Sequence, residues 1–173
     1  NYAESVIKFE KVKATAQGTI DLDDLKAKLN DDVIGMYFEN PNYLGVIEPN
    51  GQAISDAVHA AGGLSLVGID PISLGVLATP PTYGADIVCG DLQPLGIHMF
   101  YGGGQSGFMA TTDDEKFVME FPSRLFGIAP TSEPGEYGFG DVAYDRTSFG
   151  HHREHGKEYV GTQSALWGIT AGV

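Results

Sequence analysis

Four groupings in this chain have the residue types that chemistry uses. Asp70 ends the apolar run GGLSLVGID and is followed at once by Pro71. That is where an open α/β sheet collects ligand groups, and equally an ordinary helix start, with the aspartate as cap and the proline in the first helical position. Asn40 precedes Pro41 at the end of a second apolar run, where asparagine before proline is also a common turn opener. Gly102, Gly103, Gly104 and Gly107 would let backbone amides approach an anion. The run spells neither GxGxxG nor a phosphate loop ending in GK[ST], so it reads as architecture. His151, Glu154 and His155 follow the H-x-x-E-H order of inverted zinc peptidases. Gly150 and Gly156 bracket them, which is poor context for the helix that must bring both histidines to one face. No metal site is expected there.

An absence narrows the chemistry further. Between Lys28 and Lys116 there is no Lys or Arg, so the middle of the chain has no amine for covalent catalysis and no guanidinium for a phosphate. Cys89 lies in an apolar strand without a nearby cation and reads as a buried, inert thiol. Arg124 reads as a partner in a surface or interface ion pair. No residue of this chain is assigned a catalytic role.

The elements that position these groups alternate. Helix is expected over residues 21–29 with Asp21 as cap, strand over 33–39, helix over 51–61 and strand over 64–69. Short strands follow over 85–89 and 107–111, then a helix over 112–121 closed by Pro122. Residues 130–140, PTSEPGEYGFG, are loop by composition. Residues 5–9 alternate like a strand already under way, and residues 162–173 form a helix-like run whose Leu166, Trp167 and Ile169 read as core. Such alternation predicts an α/β fold, a mostly parallel sheet flanked by helices. Both ends look cut, as in a piece of a longer polypeptide.

Composition sets outer bounds. The 173 residues carry ten Lys and Arg against 23 Asp and Glu, a formal net charge of −13, which makes nucleic acid a poor partner. One cysteine excludes an internal disulfide and fits a reducing compartment. No apolar run approaches the roughly 20 residues that span a bilayer. A soluble, cytoplasmic protein is expected.

The ordered series NPNYLG, DPISLGVL, YGADIVCGDLQPLG, YGGG, PSRLFG and TQSAL resembles the P-protein family of glycine dehydrogenase (decarboxylating), in its subunit 1 type. The resemblance implies the type I pyridoxal-phosphate fold of the aspartate aminotransferase superfamily, with residues 1–173 as a partial large domain. It implies cofactor-binding positions at Asp70, facing the protonated pyridine nitrogen, and at Asn40, near the ring oxygen. The family's catalytic lysine belongs to subunit 2, and the matching position here falls at about Leu95, which cannot form a Schiff base. The resemblance therefore implies pyridoxal phosphate in a lysine-bearing subunit 2 partner and none bound covalently to this chain. The pair would decarboxylate glycine and pass the aminomethyl group to lipoyl carrier protein. It also places Arg153 and Lys157 in a region that is basic and close to the active site in the family, from which they could reach toward a partner chain, although the segment HGKEY departs from the family's usual Lys-Ala-Thr-Ser-Asn. The alternative is a non-catalytic binding or scaffold domain that keeps the aminotransferase-like fold.

Overall fold

The computed structural model describes residues 7–99, 106–118, 120, 125–142 and 165–173. These fall in two compact units, residues 1–110 with 165–173, and residues 111–164.

The first unit is built on a four-stranded sheet in the order β1 (Gly35–Glu39), β2 (Leu64–Ile69), β3 (Ile87–Asp91), β4 (Gly107–Thr111). β1, β2 and β3 run parallel, with Phe38 beside Val67 and Val67 beside Val88. Parallel neighbours need a crossover, and α2 (Gly51–Ala60) supplies the one between β1 and β2. Its Ile54 and Val58 are fully buried against Phe38, Val67, Ile69, Ala85 and Val88. α1 (Leu22–Lys28) adds Leu25 to the same core. Asp21 caps α1 by accepting from the Asp23 and Asp24 amides, as its sequence position predicts. Asp24 in turn pairs with Lys28 and accepts from the Lys13 amide, and these contacts hold its carboxyl down at about 2.

Two polar contacts pin α2 to the sheet. Inside the core, Ser55 Oγ and Ser65 Oγ lie 2.8 Å apart, both fully buried. At the amino end of the sheet, the Asp86 carboxylate meets His59 Nε2 at 2.7 Å and accepts from the Ser65 amide at 2.8 Å. Gly84 closes the turn before β3 with φ +89°, and a Cβ there would stand 2.9 Å from that of Ser55. Only glycine suits both demands.

The second unit holds a one-turn helix, α3 (Glu115–Val118), and an antiparallel hairpin of β5 (Leu125–Pro130) and β6 (Tyr137–Val142). The hairpin corrects the expected loop over 130–140. Glycines at 138 and 140 suggest a loop by composition, yet they alternate with Tyr137 and Phe139 at the period of a strand. The turn is made by residues 131–136, with Gly135 at φ +84° and Thr131 N donating to Glu136 O.

Other expectations shift. β1 begins two residues late and β3 two residues late, while β2 and β4 fall where predicted. Residues 7–9 are irregular rather than strand. Residues 165–172 form a helix, α4, as expected, but Leu166 and Ile169 are exposed and only Trp167 is half-buried. A helix apolar on nearly every side cannot bury all of them against one neighbour. Tyr101 with Gly102–Gly104, Arg124, and the His151–Lys157 region lie outside the described residues.

The buried serine pair yields a double-mutant prediction. Ser55→Ala or Ser65→Ala alone leaves a buried hydroxyl without a partner, at a cost of about 1–3 kcal/mol. The double variant should cost clearly less than the sum, read by urea unfolding of all four proteins.

Candidate functional site

The carboxyl ends of β1, β2 and β3 point into one cleft of about 350 Å³, lined by Tyr37, Glu39, Pro41, Asn42, Tyr43, Gly68, Ile69, Asp70, Gly90, Asp91 and Pro94. Each of the three strands delivers a carboxylate to it: Glu39 ends β1, Asp70 follows β2 and Asp91 ends β3. The cleft lining, among the described residues, includes no Lys, Arg or His. Among the described residues, no group of three His, Cys, Asp or Glu side chains is placed to hold a metal ion. A larger cleft, about 610 Å³, lies where the 7–12 segment, α1 and the start of β1 meet. Its lining mixes aliphatic side chains with Lys8, Glu10, Lys28, Asn30 and Asp32; Lys8 pairs with Glu10 at 2.6 Å and Lys28 pairs with Asp24. Its place at the carboxyl ends of the parallel strands marks the smaller cleft as the candidate site.

Strand alternation sets its floor. Tyr37 and Glu39 share the face of β1 opposite Phe38, and Gly68 lies beside Glu39 in β2. A Cβ at Gly68 would collide with the Tyr37 hydroxyl and press on Glu39 Cγ. The glycine thus lets the tyrosine ring lie across the neighbouring strand, where its hydroxyl donates to Glu39 Oε1 at 3.2 Å. Burial first, then the Glu39 charge, push the Tyr37 hydroxyl up to about 12. Cys89, in the same row beyond Gly68, is half-buried. Its thiol is pushed up by burial and by Glu39, which makes it a poor nucleophile.

Asp70 is placed as its sequence predicts, at the end of β2. Its Oδ1 accepts from the Ile72 amide at 3.0 Å and caps the short 3-10 turn Pro71–Gly75. Asn40 is buried, and the Asn40–Pro41 bond is cis. Its side chain pairs with the backbone of Glu48, Oδ1 accepting from N at 3.1 Å and Nδ2 donating to O at 3.4 Å. Burial raises Tyr83, while its hydrogen bond to Asn40 pulls the other way. Leu95 closes the 3-10 turn Gln93–Leu95 and is partly exposed.

The decisive residue of the wall was not legible in the sequence. Glu48 is only 6% exposed, and its carboxylate is held by backbone amides, Oε2 accepting from Ile20 N at 2.7 Å and Oε1 from Asn50 N at 3.0 Å. Asn42 completes the wall, with Oδ1 accepting from Leu44 N and Val46 N and Nδ2 donating to Gly18 O at 3.0 Å. Tyr37 and Glu39 carried a signal that was available, since alternation within GMYFE places both on one face.

The fold has counterparts among known proteins. The family model described as "Glycine cleavage system P-protein" matches residues 2–140. The "Probable glycine dehydrogenase (decarboxylating) subunit 1" of Pyrococcus furiosus is 42% identical over 123 residues, 71% of this chain and 27% of the relative. That of Aeropyrum pernix is 38% identical over 170 residues, 96% of this chain and 36% of the relative. A crystal structure of glycine decarboxylase (P-protein) of the glycine cleavage system, in inhibitor-bound form, superposes with a TM-score of 0.70 at 35% identity. It covers 83% of this chain and 32% of that one. The chain thus spans roughly a quarter to a third of the length of the relatives it matches.

Two outcomes test the site's physics. A tyrosine in the unfolded chain ionises near pH 10, so stability from the protonated Tyr37 is fully present below that pH and is lost as pH rises towards about 12. Tyr37→Phe should flatten the fall in stability between those values, read by unfolding at stepped alkaline pH. Glu48→Gln replaces one amide acceptor by a second donor and should cost about 1–3 kcal/mol in urea unfolding.

Proposed function

Because the chain belongs to the glycine cleavage system P-protein family, we propose that it is part of the large domain of a subunit 1 type chain in a glycine-decarboxylating complex. The complex decarboxylates glycine and passes the aminomethyl group to lipoyl carrier protein, while a lysine-bearing second subunit holds the pyridoxal phosphate. One observation supports this division of labour above the others. Among the described residues, the cleft at the strand ends is lined by three carboxylates and no amine or guanidinium.

Those residues do not fit pyridoxal phosphate. A phosphate dianion there would face Glu39, Asp70 and Asp91 without a compensating cation among the described residues, and the position matched to the family's lysine is Leu95. The resemblance assigns Asp70 and Asn40 places around a cofactor ring, and in the structure they follow β2 and β1. In this reading they shape a wall, because Asp70 caps Ile72 and Asn40 is engaged with Glu48. The chain therefore supplies scaffold and one side of a composite site, and its partner supplies the reactive amine. No helix among the described residues is long and apolar enough to cross a membrane. With a single cysteine in the sequence, we place the complex in the reducing cytoplasm.

Visible absorbance after adding pyridoxal phosphate tests the assignment. The chain alone should remain colourless and the mixture with the second subunit should acquire the band of lysine-bound cofactor. Colour with this chain alone would refute the division of labour. Colour in neither sample would withdraw the decarboxylase reading.

A further inference from the structure

Tyr43 is 94% exposed and Leu44 78%, side by side at the tip of the turn that walls the cleft. Ile47 is exposed on the same segment, and Ile72 and Val76 are exposed in and just after the turn that follows Asp70. Isolated apolar side chains on a surface need no explanation, but an adjacent aromatic and aliphatic pair beside a polar cleft does. We infer that the Tyr43–Leu44 tip is the anchor by which this chain docks the cofactor-bearing second subunit, an inference that rests on the functional reading above.

The tip is held in shape before anything binds. Asn42 N donates to Val46 O at 3.0 Å, Gly45 N donates to Asn42 O at 2.8 Å, and Gly45 takes the left-handed φ of +78°. The Asn42 side chain accepts from Leu44 N at 3.0 Å and from Val46 N at 3.1 Å, and reaches back to Gly18 O. A short turn so fully hydrogen-bonded within its own chain loses little freedom on binding, which is what makes an exposed aromatic an effective anchor.

Charge selects the occupant. The tip borders Glu39, Asp70 and Asp91, on a chain of net charge −13. A second copy meeting this face about a two-fold axis would set those three carboxylates against themselves, an arrangement that costs several kilocalories. Anionic lipid and nucleic acid are repelled by the same charges. The fitting partner is a different chain that offers an apolar pocket for Tyr43 and Leu44 with Lys or Arg beside it, facing the cleft.

The experiment uses the full polypeptide with the lysine-bearing second subunit of the same glycine dehydrogenase, and reads the dissociation constant by analytical ultracentrifugation. Tyr43→Ala with Leu44→Ala should weaken association at least about tenfold while leaving the melting temperature of the separate chain unchanged. Glu39→Gln with Asp91→Asn should flatten the salt dependence of association. Association by the wild type that is equally tight in the tip variant would overturn the anchor and leave the functional reading standing. Self-association of the separate chain that the tip variant abolishes would make the occupant a second copy and overturn the proposal. Failure of the wild-type chain to bind the second subunit would remove the functional reading, and the anchor with it.

Discussion

A buried carboxylate held by backbone amides organises the functional end of this molecule. Burying an ionised group is costly unless hydrogen bonds replace its water, and Glu48 has two from backbone amides, one from Ile20, distant in sequence, and one from Asn50, two residues further on. The arrangement serves both sides. The amides, which must find acceptors if they are to be buried, find them without a strand or helix at hand. The Glu48 backbone meanwhile engages Asn40, so one residue ties together the end of β1, the segment before α1 and the start of α2. The cleft wall, the Asn42 turn and the placement of Tyr43 all stand on that junction.

The cleft floor depends on a different economy, that of glycine. Parallel strands bring residues of the same face side by side, so a ring as large as Tyr37 can lie across its neighbour only if that neighbour has no side chain. Gly68 is that neighbour. On the opposite face the sheet follows the ordinary rule, with β-branched and aromatic residues packed under α2. One face therefore supplies the cohesion and the other is free to carry charge and hydroxyl groups at its carboxyl edge. The result is an acidic cleft.

Much of this was legible in the sequence. Caps and hydrophobic periodicity located α1, α2 and β2, and the terminal position of Asp70 told both of its strand and of its capping role. What could not be read was whatever depends on distant partners. Little local distinguishes Glu48 from a solvent-exposed glutamate in VIEPN, because one of its two amide donors, Ile20, comes from far along the chain. The convergence of Glu39, Asp70 and Asp91 likewise needs the strand order. The hairpin was missed for another reason: glycine's turn preference outweighed the alternation of Tyr137 and Phe139, and antiparallel pairing with β5 decided the matter.

The two units differ in how far along the chain their strands must search for one another. β5 and β6 are joined by residues 131–136 alone, a hairpin closure of the kind completed within about ten microseconds. β1 and β2 can meet only after the whole segment from Asn40 to Gly63, α2 included, has been placed. Loop-closure entropy must be met there before any pairing repays it, which makes parallel sheets slow to form. The acidic cleft, built at the ends of those parallel strands, is thus among the last features the folding chain acquires. Until then the apolar strands stand exposed along with Tyr43 and Leu44, which stay exposed in the finished fold, and it is during this interval that the chain's strong negative charge keeps unfinished molecules apart.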